Sequence, residues 1–281
     1  LEQINRIATS TQYGHNFLLD GSRAGNGVAT GDNLEFIDAG VVANSSGPGG
    51  YEVNIHQAAT RANFSGSIAL NQGIIDSEEQ ITISEGGKTV NFLTEKGKTV
   101  EQTLNDLDTA INDSGLDLEL IRPFPPQTDE NTPQAITLRH KEFGSEHTFQ
   151  VASNTAGLVS NVSNVSVTVE NGLDVIGVIN GEETSGRGQV LTGAEGAGTT
   201  EGIRVRYTGE SVPLGGNAGT LTFSQNSLTF QVGANANEFS EISLRSMKSS
   251  DLGRGEVNDS NFKSLSDVKL LSAEEAQDAM R

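Results

Sequence analysis

Leu228-Thr229-Phe230-Gln231-Val232-Gly233-Ala234-Asn235-Ala236-Asn237-Glu238 is the run from which the rest of the chain is read. Leu228, Phe230 and Val232 alternate with Thr229 and Gln231, the period of a half-buried strand. Gly233 breaks the alternation, and Ala234 to Asn237 are small or turn-forming residues. Elementary pattern therefore predicts a strand running into a turn.

Composition bounds what surrounds that strand. The chain has 281 residues, room for two or three domains. Hydrophobic residues are 34%, aromatics 5%, Trp is absent and Gly reaches 33, so the expected cores are thin, built from Val, Ile, Leu and Ala in β-rich domains with many turns. A formal charge of −19 argues against nucleic acid, whose phosphates need a Lys/Arg surface. It favours a surface that stays wet and resists sticking. The absence of Cys excludes a disulfide framework, a thiolate zinc site and a Cys nucleophile together. It is compatible with an oxidising exterior without establishing one. No apolar run of about 18 residues predicts a membrane-crossing helix, and no signal-peptide pattern opens the sequence.

At one end, Leu1, Ile4, Ile7 and Ala8 fall at helical spacing, opposite Glu2, Gln3, Asn5 and Arg6. Tyr13-Gly14-His15-Asn16 reads as a turn and Phe17 to Ser22 as a short apolar strand ending in a turn. At the other end, Leu270 to Ala276 reads as a helix start, with Ser272 as N-cap and Glu275 completing a capping box. The nine residues after Ser272 are fewer than the roughly 12–15 at which an isolated helix becomes marginal. The expectation is a fragment whose two ends belong to longer helices lying side by side.

Between the ends, Glu35 to Val42 and Tyr51 to His56 are strand-like and separated by the Gly- and Ser-rich Asn44 to Gly50. Ala58 to Gln72 has no convincing period, and a domain crossing is expected near Gly73. Gln80 to Ala152 then reads as a β-β-α-β-β-β unit with its helix on one sheet face. Ile81 and Ile83 alternate before the Gly86-Gly87 turn, and Thr89 to Leu93 returns as a hairpin. Thr99 caps a helix over 99–113 whose Val100, Leu104, Leu107 and Ile111 share a face. Leu116, Leu118 and Leu120 alternate, prolines from Pro123 to Pro133 mark a loop, and Ala135 to His140 with His147 to Ala152 form an expected second hairpin around Gly144. Asp174 to Gly193 reads as strand, turn, strand, turn, strand, and Glu201 to Gly209 continues it.

Several of these runs resemble one family. Leu228 to Glu238 resembles the signature in the C-terminal part of the conserved D1 domain of bacterial flagellin, and Leu18-Leu19-Asp20-Gly21-Ser22 resembles the strand after its N-terminal D1 helix. The Gln80 to Ala152 unit, with Gly144-Ser145 and Phe149-Gln150-Val151, is similar to the small flagellin hook IN element. Asp174 to Gly193 resembles a stretch common to flagellins and the filament-capping protein. The resemblance implies an α+β, mainly β, multi-domain chain. Residues 1–40 and 218–281 would be a D1 remnant of helix ends plus a β-hairpin, 41–73 and 170–217 a D2-like β domain, and 74–169 a D3-like α+β domain. It also implies a secreted, extracellular structural subunit of the motility filament. The full-length protein would self-associate into a helical filament, with an export chaperone and the cap as partners, while the chain lacking its polymerising helices stays monomeric. The alternative is a hook-associated junction or filament-cap protein, and a further one a glycan- or receptor-binding module. Absent Trp and three Tyr weigh against the last.

Chemistry has few places to hide. His140 and His147 flank Gly144 and, with Glu142 and Glu146 near, have ligand types a divalent metal accepts. A solvated hairpin tip is the expected reading, and no His-Glu-x-x-His run exists. Asp20 to Gly27 and Gly31-Asp32-Asn33 lack the EF-hand spacing and the P-loop Gly-Lys-Ser/Thr, so turn chemistry explains them. Gly196-Ala197-Gly198 opens no helix, and no Gly-x-Ser-x-Gly elbow appears. No catalytic, cofactor-binding or metal residue is predicted, nor any cofactor, and the chain is not expected to be an enzyme. Asn44, Asn63, Asn112, Asn161, Asn164 and Asn258 lie in Asn-x-Ser sequons, frequent by chance in a Ser- and Asn-rich chain.

Overall fold

The apolar face at the start of the chain forms α1 (Glu2–Ser10), yet only Ala8 of it is buried. The computed structural model describes residues 1–122, 129–232, 239–254, 262–269, 271, 275–276 and 279–280. The helix start expected at Ser272 and the turn expected over Gly233 to Glu238 lie outside them, as does most of the proline loop. A small hairpin follows α1, made of β1 (Gln12–Tyr13) and β2 (Asn16–Phe17). Of the strand expected over Phe17 to Ser22, only Phe17 is paired. Asp20 instead accepts from the N–H and hydroxyl of Ser22 at 2.9 and 2.6 Å, a local bond that competes with a ladder. Then come β3 (Asn26–Thr30), β4 (Leu34–Asp38) and β5 (Tyr51–Gln57).

After β5 the chain enters a second body. The two compact units are Leu1–Ala58 with Val175–Arg281, and Ala59–Asp174. The crossing expected near Gly73 thus falls after Ala58. The reason is β6 (Arg61–Leu70), a ten-residue strand in the stretch where no period was legible. Its pairing with β10 slips register between Ala135 and Thr137 and again between Arg139 and Phe143. The inward positions keep one parity through both shifts, but they are filled by Ala62, Phe64, Gly66 and Leu70 while Ala69 sits on the other face, so small residues dilute the alternation that betrays a strand.

The second unit continues with α2 (Gln72–Asp76), capped by the Asn71 side chain, then β7 (Gln80–Glu85) and β8 (Lys88–Leu93), the expected hairpin. α3 (Val100–Asp113) begins in a complete capping box: Thr99 Oγ1 accepts from the Gln102 N–H at 3.2 Å, and Gln102 Oε1 from the Thr99 N–H at 3.1 Å. β9 (Leu118–Ile121), β10 (Gln134–Phe143), β11 (Gln150–Ser153) and β12 (Val167–Thr168) complete it. Two antiparallel sheets result, β6-β10-β9 and β12-β11-β7-β8. Val100, Leu104, Leu107 and Ile111 of α3 join Ile81, Ile83, Leu118, Ile136, Leu138, Phe149 and Val151 in one buried core. Each such side chain contributes about 1.5–3 kcal/mol on leaving water.

The second hairpin around Gly144 does not form. β10 is flanked on both edges, by β6 and β9, so β11 pairs with β7 and β12 in the other sheet. The Gly144 segment is a crossover between sheets.

The chain then returns to the first unit through β13 (Ile176–Ile179), β14 (Glu182–Arg187), β15 (Val190–Gly193), β16 (Arg204–Tyr207) and β17 (Asn217–Ser224). β18 (Leu228–Gln231) and β19 (Phe239–Ile242) pair as a separate hairpin, so the strand read first from the sequence is present. The main sheet has the order β3-β17-β5-β13-β14-β15-β16-β4. Its two end strands, β3 and β4, are successive in sequence and lie side by side, so the sheet rolls back on itself over Val53, Ile55, Ile179, Leu191, Val205, Leu221 and Phe223, all buried. Asn180 and Gly181, with φ of 55° and 73°, make the left-handed pair a two-residue hairpin needs between β13 and β14. At Gly193 a Cβ would sit 1.9 Å from the Thr200 carbonyl oxygen, so only glycine lets these backbones meet. The sheet also merges what the sequence divided: strands from 1–40 and 218–281 pair with strands from 41–73 and 170–217 as one body.

Two outcomes follow. Replacing 59–174 by Asn-Gly joins strands that are already neighbours, since Ile176 faces Gln57. The shortened chain is expected to keep a single cooperative thermal transition with dispersed amide resonances. Thr99→Ala removes the α3 cap and is expected to lower the stability of the second unit by about 1 kcal/mol in urea denaturation.

Candidate functional site

Three places gather the side chains that chemistry or recognition uses. In the first unit, segments far apart in sequence are laced together at one end. The Ser249 N–H and hydroxyl donate to Asn5 Oδ1 at 2.8 and 3.0 Å, the Met247 N–H to the Leu19 carbonyl at 2.9 Å, and the Leu244 N–H to the Arg23 carbonyl at 3.0 Å. Tyr13 and Phe230 meet edge to face with ring centres 6.5 Å apart. Around them apolar side chains face solvent: Leu1 is 56% exposed, Ile7 54%, Tyr13 69% and Val232 70%.

Beside it lies a cleft of about 500 Å³, bordered by Gly25, Gly27, Phe36, Asp38, Arg204 and Arg245. Asp38 Oδ2 holds Arg204 at 3.2 Å and Arg245 at 2.9 Å. The hydrogen bonds from Ser22 keep the Asp20 carboxyl below the usual carboxylate range. The cleft thus pairs its charges internally. The Asp20 loop is a turn tied by Ser22, as its sequence indicated, and Gly31-Asp32-Asn33 links β3 to β4.

The histidines of the second unit are brought together, though not at a solvated hairpin tip. His140 is 1% exposed, and the ring centres of His140 and His147 lie 4.9 Å apart with planes inclined by 32°. Glu85 Oε1 is 3.8 Å from His140 Nε2. Burial holds the His140 imidazole below its usual range, and the His147 ring adds to the effect. Among the described residues, no group of three or more His, Asp or Glu stands close enough to hold a metal ion.

One polar side chain carries a role the sequence did not signal. The Glu182 carboxylate accepts from the N–H groups of Thr199 and Thr200, at 3.0 and 2.9 Å, and from the Thr200 hydroxyl. It pins the Thr199-Thr200 turn that Gly193 contacts. Burial alone raises the Glu182 pKa, but the Thr200 and Thr199 bonds outweigh it and lower it. A carboxylate two residues from a turn of its own gives no pattern pointing to a partner 18 positions on.

The sequence matches no family model and no curated protein. Similar solved structures are loose in identity. The D2–D3 domains of the flagellar cap protein FliD from Escherichia coli align at a TM-score of 0.45 and 12% identity, over 72% of this chain and all of that one (100%). The D1–D2–D3 domains of FliD from the same organism give 0.45 and 13%, over 73% of this chain and 60% of that chain. FliD (HAP2) from Pseudomonas aeruginosa PAO1 gives 0.39 and 12%, over 72% and 84%.

Because the folded state binds the Glu182 proton more weakly than the unfolded chain, its contribution is complete above the unfolded pKa of about 4.3 and is lost as pH falls through the lower folded value. Glu182→Gln is expected to melt at lower temperature than the parent at pH 7. That difference should shrink below about pH 4.

Proposed function

We propose that this chain is the outward-facing part of an extracellular structural subunit of the bacterial flagellum, acting by assembly and not by catalysis. The observation that carries the reading is the lacing of the two ends, Asn5 to Ser249 and Leu19 to Met247, in a unit whose sheet is interrupted by a separately folded insert. The sequence resemblance implies paired helical ends that polymerise and inserted domains carried outward; the lacing ties α1 to the non-helical segment before the expected second helix, which lies outside the described residues. The exposed apolar side chains of Leu1 and Ile7 on α1 leave that helix free to pack against further chain.

Two positions in the organelle rest on different runs of sequence. Leu228 to Glu238 supports a filament subunit, a flagellin, and its strand is paired as β18 with β19. Asp174 to Gly193, folded as β13 to β15, supports a filament-cap protein as much as a flagellin. The names of the similar solved structures agree with the cap position. Immunogold electron microscopy with antibody against residues 59–174 tests both. Label along the whole filament is expected for the flagellin, label confined to the tip for the cap. Label on the cell body alone overturns the flagellar reading.

A further inference from the structure

The histidine pair of the second unit sits where a proton has nowhere to go. His140 lies on β10, its ring buried, stacked on His147 from the segment before β11. The Glu142 N–H donates to His140 Nδ1 at 2.9 Å. An imidazole nitrogen that accepts a hydrogen bond carries no proton, so the neutral ring bears its hydrogen on Nε2. Nε2 is buried without a hydrogen-bond partner among the described residues, with Glu85 Oε1 3.8 Å away. To become cationic, His140 must add its second proton at Nδ1, which expels the Glu142 N–H.

We propose that His140, packed against His147, is a proton-sensitive lock on the crossover between the two sheets of the second unit, closed when the His140 ring is neutral and opened by mild acid. The groups facing His140 from the packed elements are Glu85 of β7, Asp117 before β9, His147 before β11 and the backbone of Glu142. The two carboxylates favour the charged ring, while burial and His147 oppose it, and the opposing pair prevails. Protonation of His140 therefore breaks the 140–142 bond and places a charge in a buried site against the His147 ring, at the point where the chain leaves one sheet for the other. The unfolded chain takes up the His140 proton near pH 6.5, and the folded unit resists it until lower pH. Stability is thus complete above about pH 6.5 and falls below it, by up to tenfold in the folded-to-unfolded ratio per pH unit for the His140 proton withheld. This inference stands apart from the flagellar reading, since it needs only the geometry of the second unit.

The test is a pH titration of the full chain from pH 8 to 5, above the range where ordinary carboxylates titrate. Long-range proton–nitrogen spectra of the imidazoles report tautomer and midpoint, and the Glu142 amide resonance reports the bond. The lock predicts an Nε2–H tautomer for His140 at pH 8, a midpoint below that of an ordinary imidazole, and a Glu142 amide shift with that same midpoint. It also predicts that His147→Gln raises the His140 midpoint and weakens the loss of thermal stability between pH 7 and 5. An Nδ1–H tautomer, a His140 midpoint near 6.5, or a Glu142 amide indifferent to the titration overturns it. So does an unmoved midpoint in His147→Gln. Should that variant fail to fold, the wild-type spectra alone decide.

Discussion

The first unit depends on the two-sided pairing of Tyr51–Gln57. On one edge this strand takes β17, on the other β13, so its neighbours come from more than a hundred residues downstream. Val53 and Ile55 are fully buried on its inner face. Backbone groups in the middle of a sheet have no water to turn to, so both ladders must be complete for either to be worth forming. Slipping β5 by one residue would send Val53 and Ile55 outward. Everything else in that unit, from the Asn180-Gly181 hairpin to the rolled contact of β3 with β4, is arranged around this strand.

What the sequence disclosed and what it withheld divide along the distance over which the deciding force acts. α3 was legible to its cap, because Thr99, Gln102 and the Val100-Leu104-Leu107-Ile111 face lie within one helix. The β7–β8 hairpin and the strands β13 to β15 were legible for the same reason. Partner choice was not. Nothing local in Ala135 to His140 says that β6 will occupy one edge and β9 the other, leaving β11 to the second sheet. β6 was hidden by the small residues on its inward face, Ala62 and Gly66. The side chains of interest show the same split: the Ser22 turn at Asp20 was readable from neighbours, whereas the burial of His140 and the grip of Glu182 on Thr199 and Thr200 exist only once distant strands meet.

Charge is handled in the same spirit throughout. A chain at −19 has every reason to spread its carboxylates, and where they approach the interior they are given donors. Glu79, 2% exposed, accepts from the N–H and hydroxyl of Thr155 at 2.8 and 2.6 Å, as Glu182 does from its threonines. Glu119 takes Arg61 and Arg139, at 2.8 and 2.7 Å, and Arg61 also lies 4.3 Å over the Phe143 ring. These contacts fix turns and strand ends more than they add stability, since partly exposed pairs are worth little.

The ends of the second unit are themselves fastened. The Thr60 N–H donates to the Leu173 carbonyl at 2.8 Å, and the Leu173 N–H donates to the Thr60 hydroxyl at 2.9 Å. A folded insert held this way hands its two flanking segments to the chain at the spacing of paired strands. Closing β5 onto β13 across a slack connection this long would carry a loop-entropy cost that a two-residue turn avoids. Once the insert has folded, that connection is no longer slack: in the entropy of the chain, the whole of Ala59–Asp174 counts as a turn. The far pairing of the first unit then becomes a near one.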